Sequence, residues 1–166
     1  RAYALYHYGG IYLDTDVIVM DDLTSLLNDR AFVGFETPQY PFTAAFGAEK
    51  GHPFLKDILS YYDDIDFSYN KKDEMAAVNT KIVSDILINQ YHCEVNNQPQ
   101  LLTEGIRVYP DSILCQPSIN SHTIHVFTGT WIEAKRSWKH KVSLALRTRI
   151  KGKISLRAYL FFKKFL

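Results

Sequence analysis

Apolar residues in this chain come in short runs. Ile11-Tyr12-Leu13 and Val17-Ile18-Val19-Met20 read as brief strands on either side of Asp14-Thr15-Asp16. Ahead of them, residues 1–8 carry Arg1, Leu5 and Tyr8 at i, i+4 and i+7, one face of the end of a helix. Asp21-Asp22 is placed to cap a short helix holding Leu23, Leu26 and Leu27. Residues 31–36 and 42–48 read as strands parted by a turn at Pro38 and Pro41. Pro53 suits the first turn of a helix reaching about residue 62, and residues 63–74 are polar and loop-like. Val78, Ile82, Val83, Ile86 and Leu87 recur at helical spacing within 77–90. After a loop at 96–100, strands are expected at 105–109 and 123–127. Alternating strands and helices predict an α/β domain.

The Asp pair changes the picture from packing to chemistry. A carboxylate bordered by buried apolar strand is costly unless it is paired or binds a metal. Two of them at i and i+2 form a seat for a hard divalent cation, Mn²⁺ or Mg²⁺, which shares further coordination with substrate phosphates. Gly9-Gly10 lets the backbone turn sharply just before the strand and leaves room for a ligand near the main chain.

The run Arg1-x-x-x-Leu5-x-x-x-Gly9-Gly10-x-Tyr12-x-Asp14-x-Asp16 resembles the signature of the DXD sugar transferases of glycosyltransferase family 32. That family includes capsular polysaccharide transferases and fungal mannosyltransferases. The run is also similar to the catalytic domains of glucosylating bacterial toxins. Phe46-Gly47-Ala48-Glu49-Lys50-Gly51-His52-Pro53-Phe54 resembles the segment after the family's next strand. His125-Val126-Phe127-Thr128-Gly129-Thr130-Trp131 resembles its late His-x-x-x-Gly-Ser-Trp element, with Thr130 in place of Ser. The resemblance covers about residues 1–131.

It implies a GT-A-type fold and metal-dependent transfer of a hexose from a UDP- or GDP-sugar to a glycan or lipid-linked acceptor. It also implies retention of configuration and a place in surface polysaccharide synthesis. Asp14 and Asp16 would be the catalytic pair, with Asp16 a direct metal ligand and Asp14 on sugar hydroxyls or the metal. Arg1 would face the donor, Gly9 and Gly10 would shape the backbone beside it, and Tyr12 would be core or pocket wall. His125 would join the metal or a phosphate, and Thr130 and Trp131 would donate to the β-phosphate. In family members a nucleotide-binding βαβ region precedes this point. The chain is therefore expected to lack the first part of its catalytic domain, and with it half of the donor pocket.

Two rival functions fit parts of the pattern. Phosphatases of the haloacid dehalogenase type also use D-x-D after an apolar strand. They want Thr or Val where this chain has Ile18, and no Gly-Asp-x-x-x-Asp follows. A membrane-docking module without catalysis is the other rival.

Charge divides the chain in two. Residues 135–166 hold 11 of the 19 Lys/Arg and none of the 18 Asp/Glu. This leaves an acidic body over 1–134 and a basic tail over 135–166. In the tail Val142, Leu146 and Ile150 form a stripe, followed by Leu156, Tyr159, Leu160, Phe161, Phe162, Phe165 and Leu166. Apolar residues interleaved with cations predict helices lying on an anionic membrane surface. No nucleic-acid module is recognisable. Cys93 and Cys115 lack the spacing of a disulfide framework or zinc site, and reduced thiols fit a cytoplasmic protein peripheral to the membrane. No apolar stretch reaches transmembrane length.

Overall fold

The computed structural model describes residues 1–63, 79–128 and 137–164. The chain runs α1 (Ala2–Tyr8), β1 (Gly10–Leu13), β2 (Val17–Val19), a 3-10 turn (Thr24–Asn28), β3 (Ala31–Gly34) and β4 (Ala45–Ala48). It continues through α2 (Pro53–Asp63), α3 (Asn79–Asn89), β5 (Gln100–Leu101), β6 (Ile106–Tyr109) and α4 (Asp111–Leu114). β7 (Thr123–His125), α5 (Trp138–Arg147) and α6 (Lys153–Lys163) complete it. Most expected elements appear with slightly shifted ends. The polar stretch at 64–74, Val78, Phe165 and Leu166 lie outside the described residues.

Five strands form a mixed sheet in the order β1-β4-β3-β6-β5, in which only β3–β6 is parallel among the described pairs. The fold is thus mixed α/β. Side chains alternate across β3. Ala31 and Val33 face a core built with Leu5 of α1, Phe54, Leu55 and Ile58 of α2, and Ile82, Val83, Ile86 and Leu87 of α3. Phe32 faces the other way, onto Leu26 and Leu114. Gly47 is needed opposite Phe32, because a Cβ there would lie 2.5 Å from its ring.

β2 does not continue the strand before it. β2 and β7 form a separate antiparallel ribbon, with Val17 opposite His125. Ile124 of the ribbon packs with Ile150, Leu156 and Tyr159 in a second cluster, joined by Ile18, Met20, Leu146 and Leu160. The apolar residues of the basic region are therefore of two kinds. Some fill this cluster, whereas Val142, Ile154, Phe161 and Phe162 are exposed.

Two local expectations need correction. Tyr8 does not share the buried face of Leu5 but is exposed, because α1 stops there and Gly9 turns the chain in the left-handed region at φ 71°. Asp22 does not head an α-helix. Its carboxylate accepts bonds from the Thr24 amide and hydroxyl at 2.9 and 2.7 Å, an Asx-type turn leading into the 3-10 turn.

Candidate functional site

Asp14 and Asp16 sit at the seam between the two sheets. The Asp14 amide donates to the Ala44 carbonyl at 2.9 Å, so the first Asp is fixed by the five-stranded sheet. The Val17 amide donates to the Asp14 carbonyl at 3.1 Å, closing a tight turn over Thr15. The Asp16 carbonyl accepts the Val126 amide at 2.9 Å, so the second Asp belongs to the ribbon. The small middle residue lets the chain change sheets within three positions while keeping both carboxylates on one side.

β7 brings His125 to the same seam. Asp14, Asp16 and His125, all partly buried, present ligand atoms within 4.8 Å of one another. His125 Nε2 is 3.3 Å from Asp16 Oδ1. Asp16 Oδ2 is held from the other side by the Thr128 amide and hydroxyl, each at 2.9 Å. Burial opposes charge on Asp16, but the two Thr128 bonds and nearby His125 outweigh it and hold the carboxyl below the usual range. Asp14 faces Arg1, whose guanidinium nitrogen is 3.4 Å from Oδ1, and Arg1 also lies 5.4 Å from the centre of the Tyr12 ring. Burial, and then the Asp14 carboxylate, raise the Tyr12 phenol, which keeps it neutral.

The far side of His125 is unusual. Nδ1 is buried and has no hydrogen-bond partner among the described residues, while Glu36 Oε2 stands 3.6 Å away, just beyond bonding distance. The ring lies against Phe127, with centroids 3.9 Å apart and the planes tilted by 35°. Phe127 adopts φ 59°, a left-handed conformation costly for a bulky aromatic. Arg147 of α5 lies over the Phe127 ring at 5.1 Å and donates to the Cys115 carbonyl at 3.1 Å, the same oxygen that accepts the His125 amide. Its desolvated guanidinium titrates below the ordinary arginine range.

Two carboxylates and an imidazole suit a hard or borderline divalent cation. Asp16 already has one oxygen tied up by Thr128, leaving Oδ1 for a ligand. His125 has one nitrogen toward the pair and the other toward a carboxylate, the arrangement common around metal-bound histidine. The group can therefore hold a divalent metal.

Gly10 opens β1 at the end away from Asp14, about 13 Å from it at the rise of an extended strand, and Gly9 precedes it. A Cβ on Gly9 would come within 2.9 Å of the Lys50 amide nitrogen, so its small size serves backbone packing. A cavity of about 200 Å³ at that end is lined by Gly10, Leu26, Asp29, Arg30, Phe32 and Glu49, and by none of the Asp–Asp–His group. Thr130 and Trp131 lie outside the described residues. Glu36, Thr128 and Arg147 have places in the site that the pattern of the chain did not single out. Thr128 carried the only available signal, its position inside the His125–Trp131 element.

Residues 1–33 match the family described as glycosyltransferase sugar-binding region containing DXD motif. Inositol phosphoceramide mannosyltransferase 3 of Schizosaccharomyces pombe is 39% identical over 70 residues, 42% of this chain and 20% of that protein. An uncharacterized protein of Arabidopsis thaliana is 33% identical over 103 residues, 60% of this chain and 16% of its own length. Inositol phosphoceramide mannosyltransferase 1 of the same yeast is 26% identical over 132 residues, 79% of this chain and 39% of that protein. The chain thus spans well under half the length of each of these relatives. No solved structure gives a significant match. The DXD region and the two mannosyltransferases support a glycosyltransferase family for this chain, with the Asp14–Asp16 motif inside the matched region.

Proposed function

We propose that this chain is the DXD-bearing part of a metal-dependent glycosyltransferase with a GT-A-type fold. It moves a hexose from a UDP- or GDP-sugar to a glycan or lipid-linked acceptor in surface-glycan synthesis, with retention, at the cytoplasmic face of a membrane. The observation that carries the proposal is the convergence of Asp14, Asp16 and His125 at the sheet seam, within and beside the matched segment. The names of the two yeast relatives favour mannose as the hexose and an inositol phosphoceramide-like lipid as the acceptor.

Asp14, Asp16 and His125 would hold Mn²⁺ or Mg²⁺, which supplies charge neutralisation for a departing nucleoside diphosphate. The chain's own residues do the positioning. Thr128 fixes the rotamer of Asp16, so that one oxygen faces the ligand side. Arg1 holds Asp14 and offers a cation to phosphate or sugar oxygens on the same side. Glu36 faces His125 Nδ1 and favours the tautomer with its proton there, leaving the Nε2 lone pair toward the carboxylates. Rate enhancement would come mainly from charge stabilisation of the leaving diphosphate and from positioning.

The test is nucleotide release from a panel of UDP- and GDP-sugars, with Mn²⁺ or with chelator. It is run on the chain and on any longer polypeptide containing it, beside Asp16→Asn. Metal-dependent release of one nucleotide, lost in the variant, is the expected result. Wild-type-like turnover by Asp16→Asn overturns the proposal.

A further inference from the structure

Helix α6 has two apolar faces, one packed in the core and the other largely exposed. Leu156 and Tyr159 are each 3% exposed and Leu160 packs beside them, so this face is committed to the cluster around Ile124. Ile154, Ala158 and Phe161 lie at i, i+4 and i+7, on a different face. Ile154 is 88% exposed, Phe161 59% and the adjoining Phe162 53%. A helix apolar on opposite sides ordinarily has something on each.

Charge says what covers the second face. Residues 137–164 contain nine Lys/Arg and no Asp or Glu. Lys153 pairs with Asp21 at 3.2 Å, and Arg147 is turned inward toward the Cys115 carbonyl. Lys141, Arg149, Lys151, Arg157, Lys163 and Lys164 make no ion pair among the described residues. Exposed aliphatic and aromatic side chains ringed by uncompensated cations match an anionic bilayer surface, where the apolar groups enter the acyl boundary and the cations meet phosphate and serine headgroups. No described helix is long and apolar enough to cross a membrane.

We infer that the outer face of α6, centred on Ile154, Phe161 and Phe162 and flanked by Arg157 and Lys164, docks the protein on anionic lipid. This deepens the membrane location proposed above by naming the surface, and it is independent of the transferase chemistry.

The test is co-sedimentation with vesicles of phosphatidylcholine alone, or with about one-third phosphatidylserine. Wild type is expected to bind the anionic vesicles and to lose binding as salt rises. Ile154→Ser with Phe162→Ser should weaken binding at least tenfold, without changing the melting temperature, since both residues are exposed. Arg157→Gln should weaken it about fivefold, as should Lys164→Gln. Equal binding to both vesicle types, no binding to either, or wild-type binding by both sets of variants overturns the inference. So does a concentration-dependent dimer in light scattering that Ile154→Ser with Phe162→Ser dissolves, because a second copy would then cover the face. Nucleotide release measured without vesicles reports on the transferase reading separately.

Discussion

Thr128→Ala is the sharpest perturbation of the site, because Thr128 touches a metal-site carboxylate without being a ligand. Its hydroxyl and amide each donate to Asp16 Oδ2 at 2.9 Å. Hydrogen bonds to an ionised group are worth about 1.5–3 kcal/mol. Alanine removes the hydroxyl and keeps the amide, so Asp16 retains one anchor and the loss lies at the low end. A loss of about 1.4 kcal/mol in holding Asp16 corresponds to about tenfold weaker metal binding, within the range for groups that support metal ligands. The assay is Mn²⁺ titration followed by the paramagnetic resonance of the free ion, with melting temperature as the check on folding. Thr128→Ser, which restores the hydroxyl, should recover most of the affinity. If folded Thr128→Ala binds Mn²⁺ within twofold of wild type, Thr128 does not orient Asp16 for a metal, and the role given to that contact is wrong.

Other outcomes follow from the same geometry. Glu36→Leu should cost about tenfold in Mn²⁺ affinity by leaving buried His125 Nδ1 without a facing acceptor, and Glu36→Gln should restore it through its amide oxygen. His52 is buried, accepts the Phe54 amide on Nδ1 at 3.2 Å and faces the Glu104 carbonyl with Nε2 at 3.1 Å. Burial pushes its pKa below the ordinary 6.5, so unfolded chain takes up the proton first. Its contribution is complete above pH 6.5 and is lost as pH falls through the folded value. Melts of His52→Asn should therefore depend less on pH than wild type as the pH falls below the ordinary histidine value. Gly47→Ala drives a methyl against the Phe32 ring and the Gly10 carbonyl oxygen, at 2.5 and 2.8 Å. Overpacking of about 1–3 kcal/mol should lower the melting temperature by several degrees. Burial pushes the Cys93 thiol up to about 11 and Cys115 up to about 12, so neither should react with a disulfide reagent until the chain is unfolded.

Much of this was legible in the chain because local patterns decide it. Pro53 marked the first turn of α2, helical spacing located α3, and Gly-Gly before an apolar run located the α1–β1 turn. A break at Asp14-Thr15-Asp16 was equally plain, but its consequence was not. Period-two patterning marks a strand without naming its partner, so nothing local tells that β1 and β2 enter different sheets. Glu36 reaches the site from the end of β3 through tertiary packing alone. Arg147 sits in a run of cations, and only the fold shows that it turns inward over Phe127. The same ambiguity affects the apolar residues of 137–164, since a helix apolar on two sides hides which face meets protein.

That division has a consequence for the site itself. Asp14 hangs from the five-stranded sheet, whereas Asp16, His125 and Thr128 belong to the β2–β7 ribbon. A two-stranded ribbon is marginal by itself. Here it is backed by Ile150, Leu156 and Tyr159, each almost fully buried against or beside Ile124. At about 1.5–3 kcal/mol for each buried side chain, this backing is worth about 5 kcal/mol, comparable with the whole stability of many domains. Deleting residues 140–166 should therefore abolish more than lipid binding. It should release His125 and Thr128 from Asp14 and lose Mn²⁺ affinity, although no residue of the deleted stretch is among the three candidate ligands. Mn²⁺ titration of the deleted chain checks this directly. A deleted chain that remains folded and binds Mn²⁺ as tightly as wild type would show that the ribbon stands without its helices, and that the two halves of the metal site are not held together in this way.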